Sequence, residues 1–529
     1  MISRLLQSLY VFFQIHIINI SCIREKSQEF SGTFPIGTGS AVVGYSRKLR
    51  KQTGPKGPLV CADKAMDDSE VVYWRWIPHD LDHISPLATM HDDKVLIFHL
   101  DTAGSNNVRL GLETVIVTAH AMGRSLVLPP RDQSIDHLKG KFGVEDLYDV
   151  SGLKRQRGMQ VLTMAQFLQN KSKASLSEDL QGTRLWQYID EAADFKPAWW
   201  NRVLALPESS VVLGTDGGAK VLNSAPTTRA RLERFAKGRQ IEYYTKKMQD
   251  SSLLFIPSGN KNASQRILQH HYSFNFFANP SEQSFYKRFV RDRVRYRDEF
   301  HCAALEVLGL LREEVGATGI SSSRRNASDF SFRGLTGTRP FAALHIRRGD
   351  FSIQYPSTII SADDIVRNLD GLIPRGEVVY VATDDPGGVC EGCRSGNWNA
   401  PLCGIGKEAR GREGCLEDPS WNAFTEAGWK IRFLRDYLPR SSMMKNMDPS
   451  LHGIVEALIC ARAEVFAGTF LSTYSGFIHL IRGYHGLGEQ TYYHTNGHRD
   501  DLRSKVSIGQ GWPREWRYGW TDDGGTGIR

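Results

Sequence analysis

Two α/β domains of Rossmann-like type, facing one another across a cleft, are predicted by three features of the sequence. A first alternation of apolar strands and helices begins at Lys94, and a second begins at Phe341. The chain, at 529 residues, is also too long for one ordinary hydrophobic core. In the first alternation, Val95 to Leu100 reads as a strand, Asp101 to Asn107 as a polar turn and Val108 to Met122 as a helix. Ser125 to Leu128 follows as a strand, closed by Pro129-Pro130. Strand, turn, helix and strand in that order build parallel sheets covered by helices. The second alternation places strands at Phe341 to Ile346, Glu377 to Ala382, Lys430 to Leu434 and Val465 to Ala467. It places helices at Gly453 to Ala463 and Thr473 to Arg482. In such sheets a ligand sits beyond the carboxyl ends of the strands.

The boundaries follow from composition. Residues 1–70 form a leader, 71–330 an N-terminal domain on the acceptor side, and 335–520 a C-terminal domain that binds the donor. Residues 24–70 are rich in Gly, Ser, Lys and Pro without periodicity, so the fold is expected to begin near Val71 and to dispense with the leader. Within the leader, Leu5 to Ile23 is apolar but interrupted by Gln7, Gln14, His16 and Asn19, which makes it a poor membrane span. A signal anchor with a flexible stem and a leader outside the fold both fit it. A long helical pattern runs from Ser281 to about Arg312, and Gly316 to Arg339 reads as a linker or surface loop.

Composition narrows the function classes. Hydrophobic residues are 41%, aromatics 10% and charged residues 23%, the balance of a globular enzyme. The net charge of +8 is spread along the chain. Its densest basic run, Lys287 to Arg297, has apolar residues at helical spacing and reads as a solvated helix face. No nucleic-acid-binding signature accompanies it, so a nucleic-acid partner is not expected. Eight cysteines divide into Cys22, Cys61, Cys302 and Cys460, which are scattered, and a Gly-rich cluster, Cys390, Cys393, Cys403 and Cys415. Two disulfides and a four-thiolate zinc site both fit the cluster. Only one C-x2-C pair is present, which favours disulfides in an oxidising compartment. Sequons at Asn170, Asn262 and Asn326 are compatible with lumenal life.

Three segments far apart in sequence carry candidate chemistry. Gly104-Ser105-Asn106 lies where a strand hands over to a helix, so backbone amides there can cradle phosphate and the Asn106 amide can reach a sugar or phosphate oxygen. His345-Ile346-Arg347-Arg348-Gly349-Asp350 closes an apolar strand. A guanidinium there binds two phosphate oxygens at once, and alternation along the strand puts His345 and Arg347 on one face, with Arg348 left to structure. Gly468 to Gly476 joins a strand to a helix, with Ser472 and Thr473 as N-caps and free amides forming a further anion site. The bland alternatives are an ordinary turn, an ion pair between an arginine and Asp350, and capping without a ligand.

Taken together, the Asn106 and Arg109 turn, HIRRGDF, VVYVATDDP and LICARAEVFAGTFLSTYSGFIHLIRGY resemble the GDP-fucose protein O-fucosyltransferase superfamily over about residues 94 to 485. The resemblance implies a GT-B fold, GDP-fucose as donor, a protein or glycan hydroxyl as acceptor, inversion at the anomeric carbon and no required metal or other cofactor. It implies that Asn106 and Arg347 contact the donor near its sugar and phosphates, that Ser472, Thr473 and Tyr474 surround the diphosphate, and that His345 and Asp384 lie near the nucleoside. The sequons, and the apolar leader read as a signal anchor, fit residence in the Golgi or endoplasmic reticulum lumen as a single-pass type II membrane protein. Some members carry a glutamate immediately before the turn glycine as an apparent general base, whereas this chain has Ala103. Asp101 is then the nearest carboxylate; alternatively the departing diphosphate takes the proton. Loss of that glutamate also suits a noncatalytic sugar-nucleotide or glycan-binding protein. An oxidoreductase is discounted, because neither alternation opens with G-x-G-x-x-G and a suitably spaced acid.

Overall fold

In this computed structural model the described residues are 59, 61, 70–88, 94–100, 104–130, 142–171, 183–196, 203–207, 226–236, 240–257, 275–317, 341–348, 351, 355, 358–384, 422–487, 490–495 and 498–501. Asp101, Ala103, Gly349, Asp350, Asp385, the four clustered cysteines, the sequons at Asn262 and Asn326 and the Leu5 to Ile23 stretch lie outside them.

The N-terminal part opens with β1 (Val95–Phe98), helix α1 (Ser105–Ala121) and β2 (Ser125–Leu128), followed by β3 (Val161–Thr163), β4 (Val203–Leu206), β5 (Ile241–Tyr243), β6 (Leu253–Ile256) and β7 (Asn275–Phe277). β1 and β2 are buried at every position, as expected of strands covered on both faces of a parallel sheet. Their four-stranded sheet has the order β3-β2-β1-β6 and is parallel throughout. A second parallel sheet, β5-β4-β7, is an addition that the sequence pattern did not disclose. It is fastened to α1 by Asn275, whose Nδ2 donates to the Thr114 carbonyl at 3.3 Å and to Thr118 Oγ1 at 3.1 Å.

The C-terminal part, besides helix α4 (Ala362–Asn368), contains the strands β8 (Ala342–Ile346), β9 (Val378–Thr383), β10 (Lys430–Arg432), β11 (Val465–Thr469), β12 (Thr491–Thr495) and β13 (His498–Asp501). They form one sheet of order β10-β9-β8-β11-β12-β13, parallel except for the last pair. One apolar cluster joins residues of both larger sheets, from Leu96 and Leu126 to Tyr380 and Phe466, through the helices between them. Mixed α/β architecture with parallel sheets is therefore observed as expected.

Two expectations fail here. The long helical pattern after Ser281 is two helices, α2 (Pro280–Arg293) and α3 (Asp298–Ala317), interrupted at Val294 to Arg297. The basic run across that break is not a solvated face: Lys287, Arg291, Arg293 and Arg295 are all buried. Carboxylates and aromatic rings, some neighbouring and some distant in sequence, make this tolerable, since buried cations need paired charge and hydrogen bonds. Arg291 makes a two-pronged contact with Asp292 at 2.6 and 2.8 Å. Arg295 bridges Asp149 at 2.8 Å and Asp298 at 2.5 Å while its guanidinium lies 4.2 Å over the Trp74 ring. Arg288 holds Asp80 through two bonds of 2.7 and 2.8 Å. The run is thus the socket into which residues 74–80 dock.

The leader is also not wholly dispensable. Cys61 is disulfide-bonded to Cys302 near the start of α3, across 241 residues of sequence. A cross-link closing so long a loop restricts the unfolded chain and typically contributes about 2–4 kcal/mol. Cys302→Ser is accordingly expected to lower unfolding free energy by about that amount in denaturant titration. Peptide mapping without reductant should recover residues 61 and 302 as one linked species; free thiol at both positions would refute the pairing.

Candidate functional site

The carboxyl ends of β8, β9 and β11 lie side by side, and short polar side chains lock the segments that leave them. His345, buried on β8, contacts Ser475 Oγ through Nδ1 at 2.7 Å. Its ring lies 4.6 Å from that of Tyr474. Both partners sit on the first turn of helix α6 (Thr473–Tyr484), whose N-cap is Ser472, the hydroxyl of which accepts from the Ser475 amide. Ser472 therefore occupies the capping position that the sequence predicts, whereas Thr473, expected as a second cap, is the first residue of the helix itself.

The connection from β11 to α6 is tight. At Gly468 a side chain would put its Cβ 2.7 Å from Ser475 Cβ, too close for any residue but glycine. Leu471, in the same connection, adopts φ of 64°, a left-handed conformation that costs a non-glycine residue on the order of 1 kcal/mol. Strain of this kind persists where surrounding contacts over-determine it.

Arg347 follows β8. Its backbone amide donates to Thr469 Oγ1 at 2.8 Å, and that hydroxyl donates to the His345 carbonyl at 3.1 Å. Its Nε lies 3.3 Å from Asp384 Oδ2, and its guanidinium carbon lies 5.2 Å over the Phe351 ring. Asp384 Oδ1 also accepts from the Arg348 amide at 2.9 Å. The aspartate at the end of β9 thus fixes both arginines, one by side chain and one by backbone. Arg347 is near enough to act electrostatically on the Tyr474 hydroxyl, whose pKa burial raises well above the usual phenol range.

On the other side, α1 starts at Ser105 with Gly104 as its cap. Asn106, 7% exposed, has its Oδ1 buried without a protein hydrogen-bond partner. One turn on, Arg109 is ion-paired with Glu113 and stacked 4.2 Å over Phe477 of α6, so α1 and α6 are joined by a charge set on an aromatic ring. Burial holds the Glu113 carboxyl above its ordinary pKa, while Arg109 acts in the opposite direction.

These elements enclose a cavity of about 60 Å³. Ser105 and Asn106 line it from α1, Tyr474 and Phe477 from α6, and Gly453, Ile454 and Ala457 from helix α5 (His452–Cys460). Leu147, Tyr148, Tyr296 and Ser450 complete the wall. The Tyr148 and Tyr296 rings stack at 5.0 Å, and the Tyr474 hydroxyl donates to the Gly453 carbonyl at 2.6 Å.

Of the residues predicted from sequence, His345, Ser472, Thr473 and Tyr474 come together directly, Asn106 meets Tyr474 across the cavity, and Arg347 pairs with Asp384. Tyr148, Tyr296, Gly453 and Phe477 were not anticipated. Glu113 had one available signal, its spacing of four from Arg109 on a helix. Among the described residues no group of three or more His, Cys, Asp or Glu is arranged to hold a metal ion, and no helix is long and apolar enough to cross a membrane.

The chain also aligns with solved structures, at low similarity. POFUT1 in complex with GDP aligns over 77% of this chain and 99% of its own, with 12% identity and a TM-score of 0.34. A mutant of Arabidopsis thaliana FUT1 in complex with GDP aligns over 77% and 72%, with 12% identity and a TM-score of 0.32. NodZ α-1,6-fucosyltransferase soaked with GDP-fucose aligns over 77% and 98%, with 12% identity and a TM-score of 0.31. No curated protein matches the chain. The sequence profile described as GDP-fucose protein O-fucosyltransferase matches residues 96–391, more than half of the chain, from β1 through Asp384 and beyond. By that match the chain belongs to the GDP-fucose protein O-fucosyltransferase family.

Proposed function

We propose that this protein transfers fucose from GDP-fucose to a hydroxyl group of a protein or glycan, with inversion and without a metal, on a GT-B fold whose two Rossmann-like domains face across a cleft. The observation that carries the reading is the meeting of three distant segments: Asn106 and Tyr474 line one cavity, Tyr474 rests on His345, and Arg347 follows the strand that bears His345. In the reaction the acceptor oxygen forms a bond to C1 of the sugar as the bond from C1 to the diphosphate oxygen breaks. GDP leaves with the additional negative charge. The N-terminus of α6 and the Arg347 guanidinium supply fixed positive potential for that charge, and Asp384 orients the guanidinium. The acceptor proton passes to the departing diphosphate or to Asp101, which lies outside the described residues.

Location in an oxidising, lumenal compartment such as the Golgi or endoplasmic reticulum is part of the proposal, supported by the Cys61–Cys302 bond. A signal anchor in the leader would fit that location. Ala103 is the one feature that favours the second reading, a noncatalytic binder of the same nucleotide sugar. Binding without turnover would select it.

Calorimetry is expected to show GDP binding selectively over UDP and ADP; equal affinities, or no GDP binding, would overturn the donor assignment. Treatment with EDTA is expected to leave turnover nearly intact, because Arg347 takes the place of a bridging cation; complete loss restored by manganese would contradict this. Arg347→Lys keeps the charge but loses the planar fork, so kcat should fall by on the order of 10² to 10³ while GDP affinity falls less. Arg348→Lys should be milder, since the Arg348 contact to Asp384 given above is made by its backbone. A well-folded Arg347→Lys protein with parental turnover would remove Arg347 from the mechanism.

A further inference from the structure

Arg347 stands just past the point where its strand leaves its neighbours. Pairing of β8 with β11 ends at His345 and Gly468, and pairing with β9 ends at Ile346 and Thr383. The next two amides, those of Arg347 and Arg348, fall beyond both ladders and need other partners. Side-chain oxygens from the flanking strands take them. Asp384 Oδ1 accepts from Arg348 on one side, and Thr469 Oγ1 accepts from Arg347 on the other. A hydroxyl has one proton to give and lone pairs with which to receive. That of Thr469 gives its proton to the His345 carbonyl at 3.1 Å and receives the Arg347 amide at 2.8 Å. The residue is only 4% exposed, so water competes poorly for either bond, and branching at Cβ limits the side chain to few rotamers. Its carbonyl accepts from the Ser472 amide at 3.3 Å. One residue thus ties the end of β8 to the connection that leads into helix α6.

We infer that Thr469 is a positioning residue for Arg347: its hydroxyl fixes the backbone from which the guanidinium projects, so that losing it misaligns the fork while leaving the charge in place. The inference rests on the GDP-fucose reading and adds to it a residue that acts through Arg347 and not on the donor itself. Alignment of this kind bears on rate more than on binding. A positive charge displaced by a fraction of its reach still attracts a diphosphate, whereas a misplacement of about 1 Å in a group that must meet the developing charge costs on the order of 10²-fold in turnover.

The test uses the full-length protein and GDP-L-fucose, following GDP release with water in place of the acceptor hydroxyl, and measures GDP affinity by calorimetry. Thr469→Val keeps the shape and removes both bonds, and Thr469→Ser keeps the hydroxyl. Thr469→Ala, which removes the hydroxyl with less crowding, replaces Thr469→Val should that variant not fold. The expected result is a fall in kcat of about 10- to 10²-fold for Thr469→Val, with GDP affinity little changed and most of the loss recovered in Thr469→Ser. Because both changes then disable one device, Thr469→Val should cost clearly less in an Arg347→Lys background than in the parent protein. A folded Thr469→Val protein with parental turnover overturns the inference. So does an equal loss in both backgrounds, or a loss in GDP affinity as large as that in kcat, since either marks a role in the fold alone. A Thr469→Ser protein no better than Thr469→Val overturns it as well. Failure of the parent protein to bind GDP or to release it from GDP-L-fucose, or parental turnover in Arg347→Lys, overturns the underlying reading instead and takes this inference with it.

Discussion

The contact between the His345 imidazole and the Ser475 hydroxyl, at 2.7 Å, requires helix α6 to begin almost against the ends of β8 and β11. Gly468 permits that approach, because any side chain there would collide with Ser475. Much else at the site depends on it. With α6 drawn in, Ser472 caps its first turn, Tyr474 reaches across to Gly453 on α5, and Phe477 lies under the Arg109 guanidinium on α1. A shift of α6 outward by the width of one methyl group would part His345 from Ser475 and lift Phe477 off Arg109. The left-handed φ of Leu471 is the local conformational cost of this tight connection.

Charge is organised around the same centre by burial. Arg109 and Glu113 are almost fully buried, and so are several arginines of the α2 end, each held by a carboxylate or an aromatic face. Removing one member of such a pair typically costs about 3–5 kcal/mol, because the remaining charge is left in a poorly polarisable interior. These arginines therefore serve the fold. Arg347 differs from them in being only partly buried, with its side chain 25% exposed, at the edge where β8 ends. Position, and not residue type, separates an arginine suited to a diphosphate from those that pin residues 74–80 in place.

Strands were the most legible elements because parallel strands buried on both faces are continuous apolar runs. Val95 to Phe98, Ala342 to Ile346 and Val378 to Ala382 could be read for that reason. Helix starts with polar caps were legible too, as at Ser472. The break between α2 and α3 was hidden, since apolar residues keep helical spacing through Val294 to Arg297 while the backbone does not. The small sheet β5-β4-β7 was hidden because its strands are three or four residues long and too short to show a period.

The sequence by itself determined the α/β class, the family, and the types of side chain available at the site: an amide at Asn106, a guanidinium at Arg347, and a capping hydroxyl at Ser472. These follow from local pattern, because strand burial, turn chemistry and capping each act over a few residues. Only the tertiary structure decided that Asp384 holds Arg347, that Tyr148 and Tyr296 stack beside Asn106, that Cys61 bonds Cys302, and that the basic run from Lys287 is buried. Each of these depends on partners brought together from across the chain, and no local spacing records a contact whose energy is realised only after the chain has packed.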